Sequence, residues 1–125
     1  MNGNSALLDS NIIIYLSKKE LPFTFFDKFD ELHISVISYM EVLGFKFRSN
    51  EEEDFVKELI ELFEVQFIDQ NVAEKVIEIR KQNRIKLPDA IIAATAAVDN
   101  FCLVTRNIED FQNIDIKILN PFDSN

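Results

Sequence analysis

The sequence predicts an α/β fold, a three-layer sandwich in which a central parallel sheet of four to five strands is flanked by helices. Short apolar runs alternate with helical patterns along the whole chain, hairpin signals are scarce, and only two glycines and three prolines punctuate it. Strands separated by helices run parallel, because each helical crossover returns the chain to the same end of the sheet. At 125 residues the chain is expected to be one domain, 1–125.

The elements follow in order. SALLDS reads as a short buried strand ending at Asp9, and SNIIIYLSKK as a helix whose start is marked by Ser10 and Asn11. After Pro22, FTFFDKFDEL reads as a second helical piece. LHIS (Leu32 to Ser35) is the second strand and VISYMEVLGFKF (Val36 to Phe47) a helix. Asn50 to Glu64 has an amphipathic pattern with Phe55, Leu59, Leu62 and Phe63 on its apolar side. Asn50 and an acidic first turn open it, where the helix dipole favours negative charge. EVQFID holds a third strand, Asn71 caps a helix running to about Arg84, and LPDAIIAATAAV makes the next helix. CLVT and IKIL are the last strands.

Composition narrows the class. Hydrophobic residues make up 47% of the chain and charged residues 28%, ordinary for a globular protein that folds without a metal or disulfide staple. The longest apolar run falls short of the ~18–20 residues that span a bilayer, and the N-terminus lacks a basic stretch followed by an apolar signal core. A cytoplasmic protein without a membrane partner is expected. The single cysteine, Cys102, reads as a small buried hydrophobe in a reducing compartment.

A net charge of −9 argues against nucleic-acid binding by the whole surface, since phosphate contacts need lysine and arginine. The charge is unevenly spread, however. Asn50 to Glu64 carries seven acids and one lysine, whereas Lys75 to Lys86 carries five basic residues and one acid and runs straight into LPDA.

In parallel sheets ligands bind at the carboxyl ends of the strands, so polar residues there are the candidates. Asp9 ends the first strand, where it is either a helix cap or a site residue. Glu41 falls just past the edge of an apolar stripe formed by Val36, Ile37, Met40, Leu43, Gly44 and Phe47, and is expected to be half-buried. Asp89 lies in the first turn of a helix that is apolar all round and therefore central. The dipole favours a charge there, and a charge at the end of a buried helix normally has a partner. Asn107 and Asp110 follow the strand ending at Thr105 and either cap the next turn or join the acids. Carboxylates brought together repel, and a hard cation such as Mg²⁺ or Mn²⁺ suits an all-oxygen cluster.

Taken together and in order, LLDSNIIIYL, ISVISYMEVLGF, LPDAIIAATA and LVTRNIEDF resemble the PIN-domain ribonucleases, and specifically the VapC-type toxins of bacterial toxin–antitoxin pairs. The resemblance runs from Ser5 to about Leu119. It implies a PIN-like three-layer sandwich whose acids hold Mg²⁺ or Mn²⁺ and cut RNA. By this resemblance Asp9, Glu41 and Asp89 are the catalytic metal ligands, and Asn107 takes the fourth position with Asp110 as an alternative or water-mediated contact. Thr105 would bind a phosphate or orient a carboxylate. Arg80, Arg84, Lys86 and Arg106 would guide RNA phosphates, or else form a solvated basic face. The sole histidine, His33, reads as structural.

The implied partners are an RNA substrate, a cognate antitoxin and a second copy of the chain in a homodimer, with DNA reached only through the antitoxin. Phe23, Phe25, Phe26 and Phe29 are too dense for one helix to bury easily and suggest an apolar groove for the antitoxin. Two rivals stand beside this reading. A phosphoacceptor domain would pair acids after the first strand and place a lysine after the last, where Asn120 and Pro121 stand here. A catalytically silent PIN-like binding or scaffold protein would keep the fold and bind no metal tightly.

Overall fold

Five strands, β1 (Ser5–Leu8), β2 (Glu31–Ser35), β3 (Glu64–Gln66), β4 (Cys102–Val104) and β5 (Lys117–Leu119), pair in parallel in the order β3-β2-β1-β4-β5. They are seen in a computed structural model that describes residues 4–123. Five helices connect and cover them: α1 (Ser10–Ser17), α2 (Val36–Leu43), α3 (Asn50–Ile60), α4 (Gln70–Gln82) and α5 (Leu87–Asp99). This is the expected parallel α/β sandwich.

The layers follow from side-chain alternation. On β1, Ala6 and Leu8 point into a core with Ile12, Ile13 and Leu16 of α1, Val42 of α2 and Val56 of α3. Leu7 points the other way, into a core with Val76 of α4 and Ala90 to Ala94 of α5. A strand buried on both faces has no polar position to spare, which is why SALL carries only one polar residue, at its start. The alanines of α5 let its backbone lie close to the sheet. Asn100 ends that helix in the left-handed conformation, φ 57°, that asparagine tolerates at a helix C-terminus.

The strand order reverses at β1. The chain moves outward through β2 and β3, then returns to the other side of β1 for β4 and β5. A crevice opens at such a reversal, outside the carboxyl ends of the central strands. Here those ends are Leu8, followed by Asp9, and Val104, followed by Thr105.

Several expected elements differ in detail. Residues 23–28 form a 3-10 helix rather than an α-helix. Its three-residue repeat stacks Phe23, Phe26 and Phe29 on one side, so Phe26 is buried, Phe25 and Phe29 are half-buried, and only Phe23 is exposed. The rings pack partly on one another, with Phe25 edge-on to Phe26 at 5.0 Å, and Phe23, Phe26 and Phe29 line one side of an open cleft of about 520 Å³. The helix α2 ends at Leu43, not Phe47, because Gly44 closes it with its N–H on Met40 O, and a Cβ at Gly44 would lie 2.7 Å from that oxygen.

The buried faces of α2 and α3 also shift. Ser38 and Val42 point inward on α2 while Met40 is 53% exposed. On α3 and the turn after it, Val56, Leu59, Ile60 and Phe63 are buried, and Phe55 and Leu62 are outside. Caps fall earlier than expected: Ser49 accepts from Glu52 N to open α3, and Asp69 accepts from Val72 N to open α4. Cys102 is half-buried, and burial pushes its thiol up.

Candidate active site

Asp9 is 7% exposed and stands at the strand-order reversal, held from both sides. Its Oδ1 accepts from Ser10 N at 2.8 Å, which caps α1, and its Oδ2 accepts from Thr105 Oγ1 at 2.8 Å across the gap between β1 and β4. Thr105, fully buried, accepts in turn from Asn107 N at 3.0 Å. One hydroxyl thus fixes both the carboxylate and the start of the loop after β4. Asp9 therefore caps α1 and, standing at the reversal, is a candidate site residue at once.

Glu41 comes to the same place from α2. It is exposed rather than half-buried, because Ser38 and Val42 take the inward positions and turn Glu41 over the start of α1. There its Oε1 accepts from Ser10 Oγ at 2.6 Å. Asp89 is half-buried at the third position of α5, one residue after Pro88, where the helix N-terminus faces it. Asp110 lies in the short 3-10 helix Ile108–Phe111.

These side chains feel one another. Burial pushes the Asp9 carboxyl up, the charges of Glu41 and Asp110 push it further, and the Thr105 and Ser10 hydrogen bonds pull it back. Asp89 is raised by burial and then by the charges of Asp9, Asp110 and Glu41, with Lys86 opposing. Asp9, Glu41, Asp89 and Asp110 therefore form one electrostatic cluster. Asn107 enters it through its backbone, since its side chain makes no cap bond.

An all-oxygen set in which Asp9 and Asp89 are raised by burial and then by neighbouring carboxylates suits a hard divalent cation, which relieves that repulsion. The cluster is open rather than closed: among the described residues, the histidine–carboxylate group whose ligand atoms all lie within 4.8 Å is Glu31, His33 and Glu64, elsewhere on the sheet. An open spread of carboxylates suits Mg²⁺, which keeps several waters.

A cleft of about 700 Å³ leads from Asp89 and Asp110 along the start of α5 and is lined by Arg80, Arg84 and Lys86. Arg106 is differently placed. Its Nη1 donates to Tyr15 Oη at 3.0 Å and its guanidinium lies 4.5 Å over the Phe122 ring. Sequence reasoning missed Ser10, whose signal was a hydroxyl directly after the candidate acid. It also missed Gln82, Asn83, Glu109 and Asn113 of the cleft wall, polar loop and helix-end residues with no distinguishing pattern.

Thr105→Val tests the hydroxyl bridge. Without that donor the Asp9 carboxylate loses a stabilising bond, so its titration, followed by carboxyl ¹³C NMR, is expected to move to higher pH. An unchanged titration would show that the bridge is not what holds Asp9 ionised.

With this geometry in view, comparison with known proteins gives the class. The PIN domain family model matches residues 6–117. The chain belongs to the PIN-domain family. More particularly, it is similar to the VapC-type members. A toxin–antitoxin complex from Klebsiella pneumoniae is 32% identical, with 94% of this chain and 98% of that one covered and a TM-score of 0.77. VapBC-1 from nontypeable Haemophilus influenzae is 26% identical over 95% and 99% of the two chains, TM-score 0.78. DNA-bound VapBC from Salmonella typhimurium is 25% identical over 94% and 98%, TM-score 0.79. No curated protein matches the chain. Among the described residues no helix is long and apolar enough to cross a membrane.

Proposed function

We propose that the protein is the toxin of a toxin–antitoxin pair and acts as a Mg²⁺- or Mn²⁺-dependent endoribonuclease. The observation that carries the reading is the convergence of Asp9, Glu41, Asp89 and Asp110 at the carboxyl end of a parallel sheet, with Asp9 and Asp89 raised by burial and then by their neighbours' charge. Family membership and the toxin–antitoxin relatives support it.

In this reading Asp9, Glu41 and Asp89 hold the cation, and Asp110 or the neutral side-chain oxygen of Asn107 completes the site through water. The bound ion supplies an activated water and neutralises charge on the scissile phosphate. The chain's own residues set the geometry. Thr105 Oγ1 and Ser10 N keep Asp9 ionised and fixed, Ser10 Oγ orients Glu41, and the first turn of α5 favours the charge of Asp89. Arg80, Arg84 and Lys86 line the approach and would hold phosphates, whereas Arg106 is already engaged by Tyr15 and Phe122. Histidine acid–base chemistry has no candidate here, since the sole His33 sits in β2, away from the acids and stacked on Phe101.

The antitoxin would dock on the groove of about 510 Å³ formed by Ile14, Val42, Phe45, Phe47 and Val56, which meets Ser10 and Glu41 at its polar end. Phe45 is 63% exposed and rests edge-on against Phe47 at 6.0 Å, leaving most of its ring open to a partner. A homodimer belongs to the same proposal, and sedimentation over a concentration series tests it.

Cleavage of structured RNAs with Mg²⁺ or Mn²⁺, with and without EDTA, tests the central reading. Cleavage that survives EDTA and the substitutions Asp9→Asn, Glu41→Gln and Asp89→Asn would overturn it, and absence of cleavage with tight antitoxin binding would leave the silent scaffold. For the cleft, Arg80→Glu with Arg84→Glu is expected to weaken RNA binding and to reduce the slope of log affinity against log salt by about 1.4, roughly 0.7 per lost phosphate contact on single strands. An unchanged slope would remove the cleft from the RNA path.

A further inference from the structure

We infer that Glu31, His33 and Glu64 form a second metal site, for a transition ion of the Zn²⁺ class, at the end of the sheet opposite the acid cluster. Their ligand atoms all lie within 4.8 Å of one another. Strand register makes the group. Glu31 and His33 are two residues apart on β2 and so share a face, and Glu64, the first residue of β3, is the cross-strand partner of His33.

The imidazole is pre-set. His33 is 3% exposed and stacks on Phe101 with ring centroids 4.4 Å apart. Its Nε2 lies 3.0 Å from Glu31 Oε1, and its Nδ1 lies 3.4 Å from Glu64 Oε1 and 3.0 Å from Gln66 Nε2. A neutral imidazole with Nε2–H donated to Glu31 can accept at Nδ1 from the Gln66 amide, which leaves the Glu64 carboxylate at 3.4 Å facing an acceptor with no proton between them. A cation beside Nε2 would give that carboxylate a partner. Nε2 and the carboxylates ligate it, and the ring proton moves to Nδ1, where the carboxamide oxygen of Gln66 accepts it once that amide turns over. Such an outer partner on the far nitrogen is the usual arrangement for a metal-bound histidine.

The surroundings point the same way independently. A cleft of about 520 Å³ opens beside the group, lined by Asp27, Asp30, Glu31 and Glu64 with no lysine or arginine. Its field draws cations. The side chains of Glu31 and Glu64 are well exposed, so an ion has a path to a histidine that is itself buried. One imidazole with carboxylates selects a Zn²⁺-like ion, whereas the all-oxygen acid cluster suits Mg²⁺, so the two sites differ in chemistry as well as place. An ion here would tie the short edge strand β3 to β2.

The chain has one histidine, so its imidazole resonances report on this site alone. The full-length protein, held at constant neutral pH with Mg²⁺ in excess, is titrated with ZnCl₂. The His33 resonances are expected to shift and saturate at one equivalent, and the melting temperature to rise. Glu31→Gln with Glu64→Gln, two exposed positions at which the fold should survive, is expected to lose both effects. Resonances unmoved by excess Zn²⁺ would overturn the proposal, leaving a histidine held only by Glu31 and Gln66. A shift of equal size in the double variant would overturn it as well.

Discussion

Asp9→Asn is expected to lower RNA cleavage about 10²- to 10³-fold, the order found when one preorganised electrostatic group is removed from an active site, while raising the melting temperature at neutral pH. The two effects share a cause. Asp9 is buried and pushed up by burial and by Glu41 and Asp110, so its ionised form strains the fold. Asparagine keeps an oxygen that accepts from Ser10 N and caps a helix about as well as aspartate, and its amide nitrogen can donate to Thr105 Oγ1 in place of the second oxygen. It removes the charge and reverses one hydrogen bond. Relief of a strained functional group is typically worth roughly 1 kcal/mol, or ~4 °C in a chain of this size.

The pH dependence fixes the sign. A carboxyl whose folded pKa is raised contributes stability that is fully present below its unfolded pKa and lost as pH rises through its folded pKa, because the folded state binds the proton more tightly. For Asp9 and Asp89 that loss begins above the ordinary value of 3.8. The stability advantage of Asp9→Asn over the native chain should therefore vanish near that value and grow with pH. Saturating Mg²⁺ should shrink it, since the ion neutralises the native carboxylate. An advantage that is the same at all pH values, or that Mg²⁺ leaves untouched, would mean the charge is not the source of strain.

The strand order, which makes the crevice, was legible only in outline. Alternating apolar runs revealed a parallel sheet, and the rule that ligands bind at strand carboxyl ends singled out Asp9 and the residues after Thr105. Glu41 shows the limit. Its neighbours on a helical wheel suggested a half-buried position, but α2 packs between α1, α3 and the sheet and turns Ser38 inward, leaving its hydroxyl without a partner. Burial of that face was decided by neighbours the wheel does not contain. Helix starts slipped for a related reason: Ser49 and Asp69 cap because their backbones are extended where the chain leaves a turn, and composition alone cannot separate them from Asn50 and Asn71. The phenylalanines at 23–29 pack more closely than an α-helical pattern suggests, because a 3-10 repeat stacks rings that an α-helical repeat scatters. The His33 group was invisible for want of register: Glu64 is remote in sequence and adjacent only once β3 pairs with β2.

Phe111→Ala carries the largest expected loss of stability, and it reaches the site. Phe111 is 1% exposed and packs in the same core as Leu7, Leu103 and the alanines of α5. Removing a ring from such a place typically costs about 3–5 kcal/mol through lost burial and the cavity left behind, here roughly 12–20 °C of melting temperature. The ring is also the anchor of the short 3-10 helix that carries Asp110, and Asn107, just before that helix, donates its backbone N–H to Thr105. Loss of the anchor frees Asp110 while Thr105 still holds Asp9. At temperatures where the variant remains folded, cleavage should therefore fall while the carboxyl ¹³C titration of Asp89, which feels Asp110, moves to lower pH and that of Asp9 moves less, since Asp110 is the smallest of the influences on it. Phe111→Leu should retain most of both properties, because a leucine refills the greater part of the pocket. Equal movement of the two carboxyls would mean that the whole crevice loosens, and that Phe111 supports the sheet end rather than Asp110 in particular.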